Sequence, residues 1–241
     1  MKKYIIGVLA PTRHNDIDPF DDSIRFVTNY PKRIKEIGCV PLGLLFPNGR
    51  FIEELADLCD AFVITGGPDV ESVGINLVHY AIKNNKPLLG VCLGMQTMAG
   101  YQWVIDKLGE SATYEEIDDF YKHEYEEEFL GSVSNHDNAD PFDINKIEES
   151  KHDVLIIDET SHLFNIFNAD VISMPSLHKQ NVKYENLKNF KVVAQSPDSI
   201  IEALEYIGDN FILGVQFHPE LEEKNLKLFE ALIDNIKSKN L

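Results

Sequence analysis

The chain has 241 residues, of which 44% are hydrophobic, 26% are charged and three are cysteines. This length supports a full hydrophobic core, and the composition excludes a disordered, collagen-like or disulfide-scaffold protein. The formal net charge of −18 repels phosphates, so nucleic acids and anionic membranes are not expected partners.

The first 109 residues alternate short apolar segments with segments of helical spacing. The apolar run after Lys2 and Lys3 is too short for a signal peptide or a membrane helix, and it indicates a buried first strand and a cytoplasmic protein. Strands are predicted at 4–9, 40–42, 61–65 and 87–91, and helices at 23–37, 51–58, 75–84 and 93–105. This alternation predicts an α/β fold with a mostly parallel sheet flanked by helices on both faces.

The pattern loosens in residues 110–150, which are predicted to form loops or hairpins. Acidic residues crowd the first part of this segment: Glu115, Glu116, Asp118, Asp119, Glu124, Glu126, Glu127 and Glu128. Such a run is typical of a solvated surface, and a metal site there is a weaker alternative because no calcium-loop spacing occurs. Further strands are predicted at 154–157, 170–174, 190–195, 200–206 and 211–217, and helices at 161–167 and 222–236. Since no repeat or linker interrupts the pattern, one domain over 1–241 is expected.

The cysteines provide the first sign of chemistry. Their odd number and the lack of a C-x-x-C pair disfavour a disulfide framework and a zinc site, and neither a metal nor a cofactor is expected. Cys39 and Cys59 have apolar neighbours and are predicted to be packing residues. Cys92 differs, because Gly90-Val91-Cys92-Leu93-Gly94 joins a buried strand to a helix. This sequence predicts a nucleophile elbow at the carboxyl edge of the sheet, with a buried structural cysteine as the simpler alternative.

Two other strand ends carry residues that could assist a cysteine nucleophile. His218 could accept the thiol proton and Glu220 could orient its imidazole, although a histidine beside a proline is more often structural. At the elbow, the N-terminus of the helix favours a thiolate, and the backbone N–H of Leu93 can face a developing oxyanion. Gly67, in a Gly-Gly-Pro turn that alone would mark only a turn, can supply a second N–H at the same edge.

Three motifs in this order resemble the class I glutamine amidotransferase-like superfamily. They are ITGGP at 64–68, GVCLGMQ at 90–96 and GVQFHPE at 214–220. A fourth segment, Ser176-Leu177-His178-Lys179-Gln180, is similar to the stand-alone γ-glutamyl hydrolases of the peptidase C26 type, which include γ-glutamyl-γ-aminobutyrate hydrolase. The resemblance extends over nearly the whole chain.

The resemblance implies a role for each matching residue. Cys92 would be the nucleophile, His218 the base and Glu220 the orienting acid. The N–H groups of Gly67 and Leu93 would form the oxyanion hole. The ends of a γ-glutamyl group would be held by Gln96 and by the backbone of Ser176, Leu177 and His178. The implied reaction is thiolate attack on a γ-amide, followed by hydrolysis of a glutamyl thioester.

Departures from the family pattern lie toward the expected leaving-group side. The segment between Gly67 and Cys92 is shorter than is usual in the γ-glutamyl-aminobutyrate branch, and this short spacing is more similar to amidotransferase domains that supply ammonia to a synthase. Lys179 replaces a histidine that is common there. Arg13, His14 and Lys179 are candidate contacts for an anionic leaving group, with solvated loop charges as the simpler alternative.

Three functions are therefore compatible with the sequence. The first is a cysteine hydrolase that cleaves the γ-glutamyl amide of a small conjugate into glutamate and an amine. The second is a glutaminase subunit that supplies ammonia to a partner synthase. The third, a non-catalytic relative, is disfavoured because Cys92, His218 and Glu220 are all present. The sequence leaves open the identity of the amine and whether the chain forms a homodimer.

Overall fold

The computed structural model describes residues 3–13, 22–123, 128–137, 139–140 and 142–238. Its strands are β1 Ile5–Leu9, β2 Thr12–Arg13, β3 Ser23–Ile24, β4 Val40–Gly43, β5 Ala61–Ile64, β6 Leu88–Val91, β7 Leu130–Ser132, β8 Lys151–Ile156, β9 Val171–Pro175, β10 Gln180–Val182, β11 Phe190–Gln195, β12 Ile201–Tyr206 and β13 Ile212–Val215. Its α-helices are α1 Asn29–Glu36, α2 Glu53–Asp57, α3 Ser72–Lys83, α4 Leu93–Leu108, α5 Tyr114–His123, α6 His162–Phe167 and α7 Lys227–Ser238.

A nine-stranded sheet organises the fold, in the order β4-β1-β5-β6-β13-β12-β11-β8-β9. The first five of these strands are parallel, and the remaining four continue the sheet with antiparallel pairs. Only five residues, 196–200, join β11 to β12, and a connection this short permits only antiparallel pairing. The predicted α/β fold is confirmed, with the parallel strands carrying both the elbow and the strand that leads to His218.

The hydrophobic core lies on both faces of the parallel strands. All residues of β5 and β6 are buried, as expected for strands covered on both sides. Trp103 of α4 and Ile117 of α5 belong to the core on one face, whereas Ile34 of α1 and Leu232 of α7 belong to the core on the other. Among the helices in the described part of the chain, none is long and apolar enough to cross a lipid bilayer.

Two regions differ from the sequence-based expectation. The predicted helix at 23–37 begins only at Asn29, because Ser23–Ile24 pairs with Thr12–Arg13 in a short antiparallel ladder. The segment at 110–150, predicted to form loops or hairpins, contains α5, whose first turn is closed by reciprocal hydrogen bonds. The Thr113 N–H donates to Glu116 Oε2 (2.8 Å), and the Glu116 N–H donates to Thr113 Oγ1 (3.2 Å). The spacing of Thr113 and Glu116 is the capping-box pattern that predicts the start of a helix, but it lies within an acidic run that is also typical of a solvated loop.

The close contact between the elbow and strand β5 generates a stability prediction. A Cβ atom at Gly94 would lie 2.5 Å from the carbonyl oxygen of Ile64, which is a backbone atom that cannot move without displacing β5. We expect Gly94→Ala to lower the free energy of unfolding by about 1–3 kcal/mol in urea denaturation. Gly38→Asn is the matched control, because Gly38 has a φ of +82° with no atom within 4 Å of an added Cβ. Asn tolerates this conformation, so the control should lose less than about 1 kcal/mol. Equal losses in both variants would contradict the steric argument.

Candidate active site

Cys92 occupies a strained position between β6 and α4. Its backbone has φ 52° and ψ −101°, a conformation that costs free energy for a residue with a side chain. The surrounding backbone holds it there: its N–H donates to the carbonyl oxygen of Val215 (2.7 Å), and its own carbonyl oxygen accepts from the N–H groups of Met95 (3.0 Å) and Gln96 (3.2 Å). Such strain in a well-supported turn is typical of functional residues, because the turn directs the side chain out of the sheet.

His218 reaches the same edge from the neighbouring parallel strand. Val215 of β13 pairs with Val91 of β6, so the residues that follow each strand lie close together. The Nδ1 atom of His218 is 2.8 Å from Glu220 Oε1. Since a carboxylate oxygen accepts, Nδ1 is the donor, and Nε2 is left for Cys92. Both side chains are buried, and Glu220 is fully inaccessible to solvent.

The electrostatics of this pair favour a protonated histidine. Burial alone lowers the pKa of His218, but the negative charge of Glu220 and the hydrogen bonds with Cys92 and Glu220 outweigh it. The net effect raises the pKa of His218 well above its ordinary value. An imidazolium beside a cysteine stabilises a thiolate, which is the nucleophilic form of the side chain.

The Gly-Gly-Pro turn packs directly against the elbow. The N–H of Gly66 donates to the Tyr30 hydroxyl (3.1 Å), whereas no described residue accepts a hydrogen bond from the N–H of Gly67 or of Leu93. A side chain on Gly67 would collide with the ring of Pro11 and would lie 2.9 Å from Leu93 Cδ2. Glycine therefore permits this close approach, which brings the two N–H groups predicted for an oxyanion hole to one edge.

The 176–180 segment also reaches the thiol. The carbonyl oxygen of Leu177 is 3.9 Å from Cys92 Sγ, and the Ser176 hydroxyl is buried without a hydrogen-bond partner among the described residues. Gln96 is buried rather than solvent-facing, and its Nε2 is 3.3 Å from both the carbonyl oxygen of Gln180 and Gln216 Oε1. The residues predicted to bind a γ-glutamyl group are therefore gathered around Cys92. The His178 imidazole, in contrast, contacts the ring of His136.

The residues predicted as cationic contacts for an anionic leaving group are exposed where the structure describes them. Arg13 is exposed at the end of β2, and Lys179 is exposed and pairs with Asp137 at 3.5 Å. His14 lies outside the described residues. Within the described chain, these positions fit the simpler alternative of solvated loop charges.

Several residues near the thiol were not found from the sequence. The Gln216 Nε2 atom lies 3.4 Å from Cys92 Sγ, and the Phe142 ring lies 5.5 Å from the His218 imidazole at 73°. Arg33 Nε donates to the carbonyl oxygen of Glu220 at 3.0 Å. Gln216 could have been suspected, since it lies within the same motif as His218. Phe142 and Arg33 carry no local signal, because only the fold brings them to the site.

Comparisons with known proteins agree with this architecture. The family model for Peptidase C26 matches residues 71–220. A CTP synthase of Thermotoga maritima is 28% identical over 189 residues, covering 73% of this chain but only 35% of that protein. Protein NtpR of Enterococcus hirae is 28% identical over 253 residues, covering 95% of this chain and 96% of NtpR. The solved glutaminase domain of Trypanosoma brucei CTPS with bound acivicin has a TM-score of 0.68 at 18% identity, over 98% of this chain and 94% of that one.

The fold is that of the class I glutamine amidotransferase-like proteins, as the sequence motifs predicted. Within that class, the chain belongs to the Peptidase C26 family, whose model matches well over half of its length. Membership in this family indicates an amidohydrolase.

The three cysteines should differ sharply in reactivity. Burial and Asp60 raise the pKa of Cys39, and burial raises the pKa of Cys59 to about 11. At pH 8, Cys59 would therefore be almost entirely in its unreactive thiol form. We expect iodoacetamide to alkylate the native chain once, at Cys92, as measured by peptide mass spectrometry, and to leave native Cys92→Ala unlabelled over the same time. Labelling of Cys39 or Cys59 before Cys92 would contradict this assignment.

Proposed function

We propose that this chain is a cysteine hydrolase that cleaves the γ-glutamyl amide bond of a small conjugate, releasing glutamate and an amine. The observation that carries the proposal is the strained Cys92 at the start of α4, next to the buried His218–Glu220 pair. The raised pKa of His218 supports an imidazolium next to Cys92, and a neighbouring imidazolium stabilises the thiolate that nucleophilic attack needs.

In the first half of the proposed reaction, the Cys92 thiolate attacks the γ-carbonyl carbon and forms a tetrahedral oxyanion. The N–H groups of Gly67 and Leu93 would donate to this oxyanion, since no described residue uses either of them. The His218 imidazolium then gives its proton to the leaving nitrogen. The carbon–nitrogen bond breaks, the amine departs, and a glutamyl thioester remains on Cys92.

The second half uses the now neutral His218 as a base. It takes a proton from water while the water oxygen attacks the thioester carbonyl, and the same N–H groups stabilise the new oxyanion. Collapse of this intermediate breaks the carbon–sulfur bond, releases glutamate and restores the thiolate–imidazolium pair. Glu220 stays hydrogen-bonded to Nδ1 throughout, and this bond maintains the orientation of the ring.

The γ-glutamyl end of the substrate would lie between α4 and the 176–180 segment. The buried Ser176 hydroxyl without a described partner and the Leu177 carbonyl oxygen near Cys92 support this placement. Gln96 bridges Gln180 and Gln216, so it can set the spacing between this segment and the thiol. These contacts would recognise the part of the substrate that all γ-glutamyl amides share.

A second candidate is a glutaminase that transfers ammonia to a partner synthase. Its support is the likeness to CTP synthase and to a CTPS glutaminase domain, together with the short Gly67–Cys92 spacing. This chain covers 35% of that CTP synthase, so a synthase activity would have to come from another protein or segment. The two candidates share the chemistry at Cys92 and differ in the acceptor of the nitrogen.

An assay of the purified chain alone separates these candidates. We would measure glutamate and ammonia release from glutamine, a chromogenic γ-glutamyl anilide and a panel of γ-glutamyl amines. Turnover of one conjugate far above glutamine is expected for the hydrolase, and Cys92→Ala should lower kcat by about 10⁴–10⁶-fold. Cys39→Ala is the matched control and should retain activity, because Cys39 is a buried cysteine that follows α1 and bonds there through its backbone N–H to the carbonyl oxygen of Ile34. Near-normal rates in Cys92→Ala would overturn the proposal. The second candidate would be favoured if glutamine were the only substrate hydrolysed and if adding a partner synthase increased its hydrolysis.

The Glu220→Gln variant tests how Glu220 orients and charges His218, while it leaves the nucleophile Cys92 in place. The variant keeps the shape of the side chain but removes the charge that raises the pKa of His218, so kcat should fall by about 10²-fold, less than in Cys92→Ala. His218 would also lose its proton at a lower pH, and the alkaline limb of the kcat profile should therefore move toward acid. Glu223→Gln, which alters an exposed carboxylate nearby, should leave the profile unchanged. An unshifted limb in Glu220→Gln would contradict the role of Glu220.

A further inference from the structure

A second group of ionisable side chains lies beside the 176–180 segment. It is centred on Glu202 of β12, which is fully buried together with His136 and His178. Glu202 Oε1 is 3.5 Å from His136 Nδ1, 3.6 Å from His178 Nε2 and 3.2 Å from His152 Nε2. The two buried imidazoles are also 3.1 Å apart, between His136 Nδ1 and His178 Nε2. None of these four side chains has a role in the proposed amide hydrolysis.

The outer hydrogen bonds of the two buried histidines determine where their protons lie. His178 Nδ1 is 2.9 Å from the carbonyl oxygen of Gln180, and His136 Nε2 is 3.2 Å from Asp198 Oδ2. Both oxygens only accept, so each of these nitrogens carries a hydrogen. In the neutral rings, the other two nitrogens, His136 Nδ1 and His178 Nε2, therefore present lone pairs.

These lone pairs converge on the same carboxylate. His136 Nδ1, His178 Nε2 and Glu202 Oε1 form a triangle of three acceptors with sides of 3.1, 3.5 and 3.6 Å. Both oxygens of Glu202 and Nε2 of His152 are buried without a partner in hydrogen-bonding geometry in the described chain. Three electron-rich atoms at such distances repel one another unless a positive charge lies among them.

We propose that His136 Nδ1, His178 Nε2 and the Glu202 carboxylate bind a divalent transition-metal ion of the zinc class. Nitrogen and oxygen ligands lie about 2.0–2.1 Å from zinc, so neighbouring ligands of a tetrahedral site are about 3.3–3.4 Å apart. The three observed separations lie close to this spacing. In the described chain, the ligand atoms of these three residues all lie within 4.8 Å of one another. His152 Nε2 lies 3.2 Å from the same carboxylate but falls outside this set of three.

The surroundings of the triangle are those of a metal site. Each ligating imidazole donates its other N–H to an oxygen, Gln180 O or Asp198 Oδ2, and this arrangement orients metal-bound histidines in proteins. The site lies outside the Cys92–His218–Glu220 group. A bound ion would fix His178, and with it the adjacent Leu177 carbonyl that faces Cys92. The inference differs from the sequence-based expectation of no metal, and it does not depend on the proposed hydrolysis.

Metal binding can be measured without an activity assay. The untagged, chelator-treated chain would carry Cys92→Ala, so that the active-site thiol cannot act as a ligand, and would be titrated with Zn²⁺ against a chromophoric chelator at pH 7.5. We expect one Zn²⁺ per chain with a Kd below about 1 µM, and a rise in Tm on binding. Co²⁺ at the same site should give visible absorption bands of a tetrahedral complex.

Variants in the same background test the assignment. Glu202→Gln and His178→Gln should weaken zinc binding by more than about 100-fold, and Asp198→Asn, at an exposed carboxylate, by about 10-fold. His162→Gln is the matched control, since His162 also contacts a carboxylate, Glu205 at 2.8 Å, and should bind zinc normally. If Glu202→Gln fails to fold, the zinc affinities of Asp198→Asn and His178→Gln test the proposal instead. If a proton on one of the histidines supplies the positive charge instead of a metal ion, the parent chain will not bind zinc. That result would overturn the proposal. So would unchanged affinity in Asp198→Asn and His178→Gln.

Discussion

The site depends on the constraint that holds the backbone of Cys92 at a positive φ between a buried strand and a helix. Its N–H bonds to β13 and its carbonyl oxygen to the first turn of α4, so the strain is balanced by contacts on both sides. Gly90 and Gly94 allow those contacts, because an added Cβ at Gly90 would lie 2.6 Å from the Gly94 backbone. The position of the thiol is thus a property of the sheet–helix junction rather than of a mobile loop.

The register of the parallel strands brings this junction together with the other segments of the candidate site. β5, β6 and β13 are hydrogen-bonded neighbours that point the same way, so the Gly-Gly-Pro turn, the elbow and the His218 segment all begin at one edge. Burial then strengthens the electrostatics, since Glu220 acts on His218 with no solvent contact. A surface carboxylate at the same distance would be screened and would change the pKa of the histidine much less.

The antiparallel half of the sheet provides the other wall of the site. β12 carries Glu202, and β9 leads directly into the 176–180 segment that faces both Cys92 and the histidine cluster. One short segment therefore connects Cys92 to the proposed metal site. On the side where the proposed leaving group would depart, Arg13 and Lys179 are exposed to solvent. The proposed substrate specificity would therefore depend mainly on contacts with the glutamyl end.

Local sequence patterns were sufficient to predict the α/β class, most strands, the elbow at Cys92 and the His218–Glu220 segment. Those features are encoded locally, in apolar runs, helix spacing and short motifs that mark strand ends. Other features depend on residues far apart in the chain, so they arise only in the folded molecule. Examples are Phe142 against His218, Arg33 bonded to the Glu220 carbonyl, and the convergence of His136, His178 and Glu202. No single segment of sequence carries such a juxtaposition, because it arises only when the strands take their order and register in the sheet.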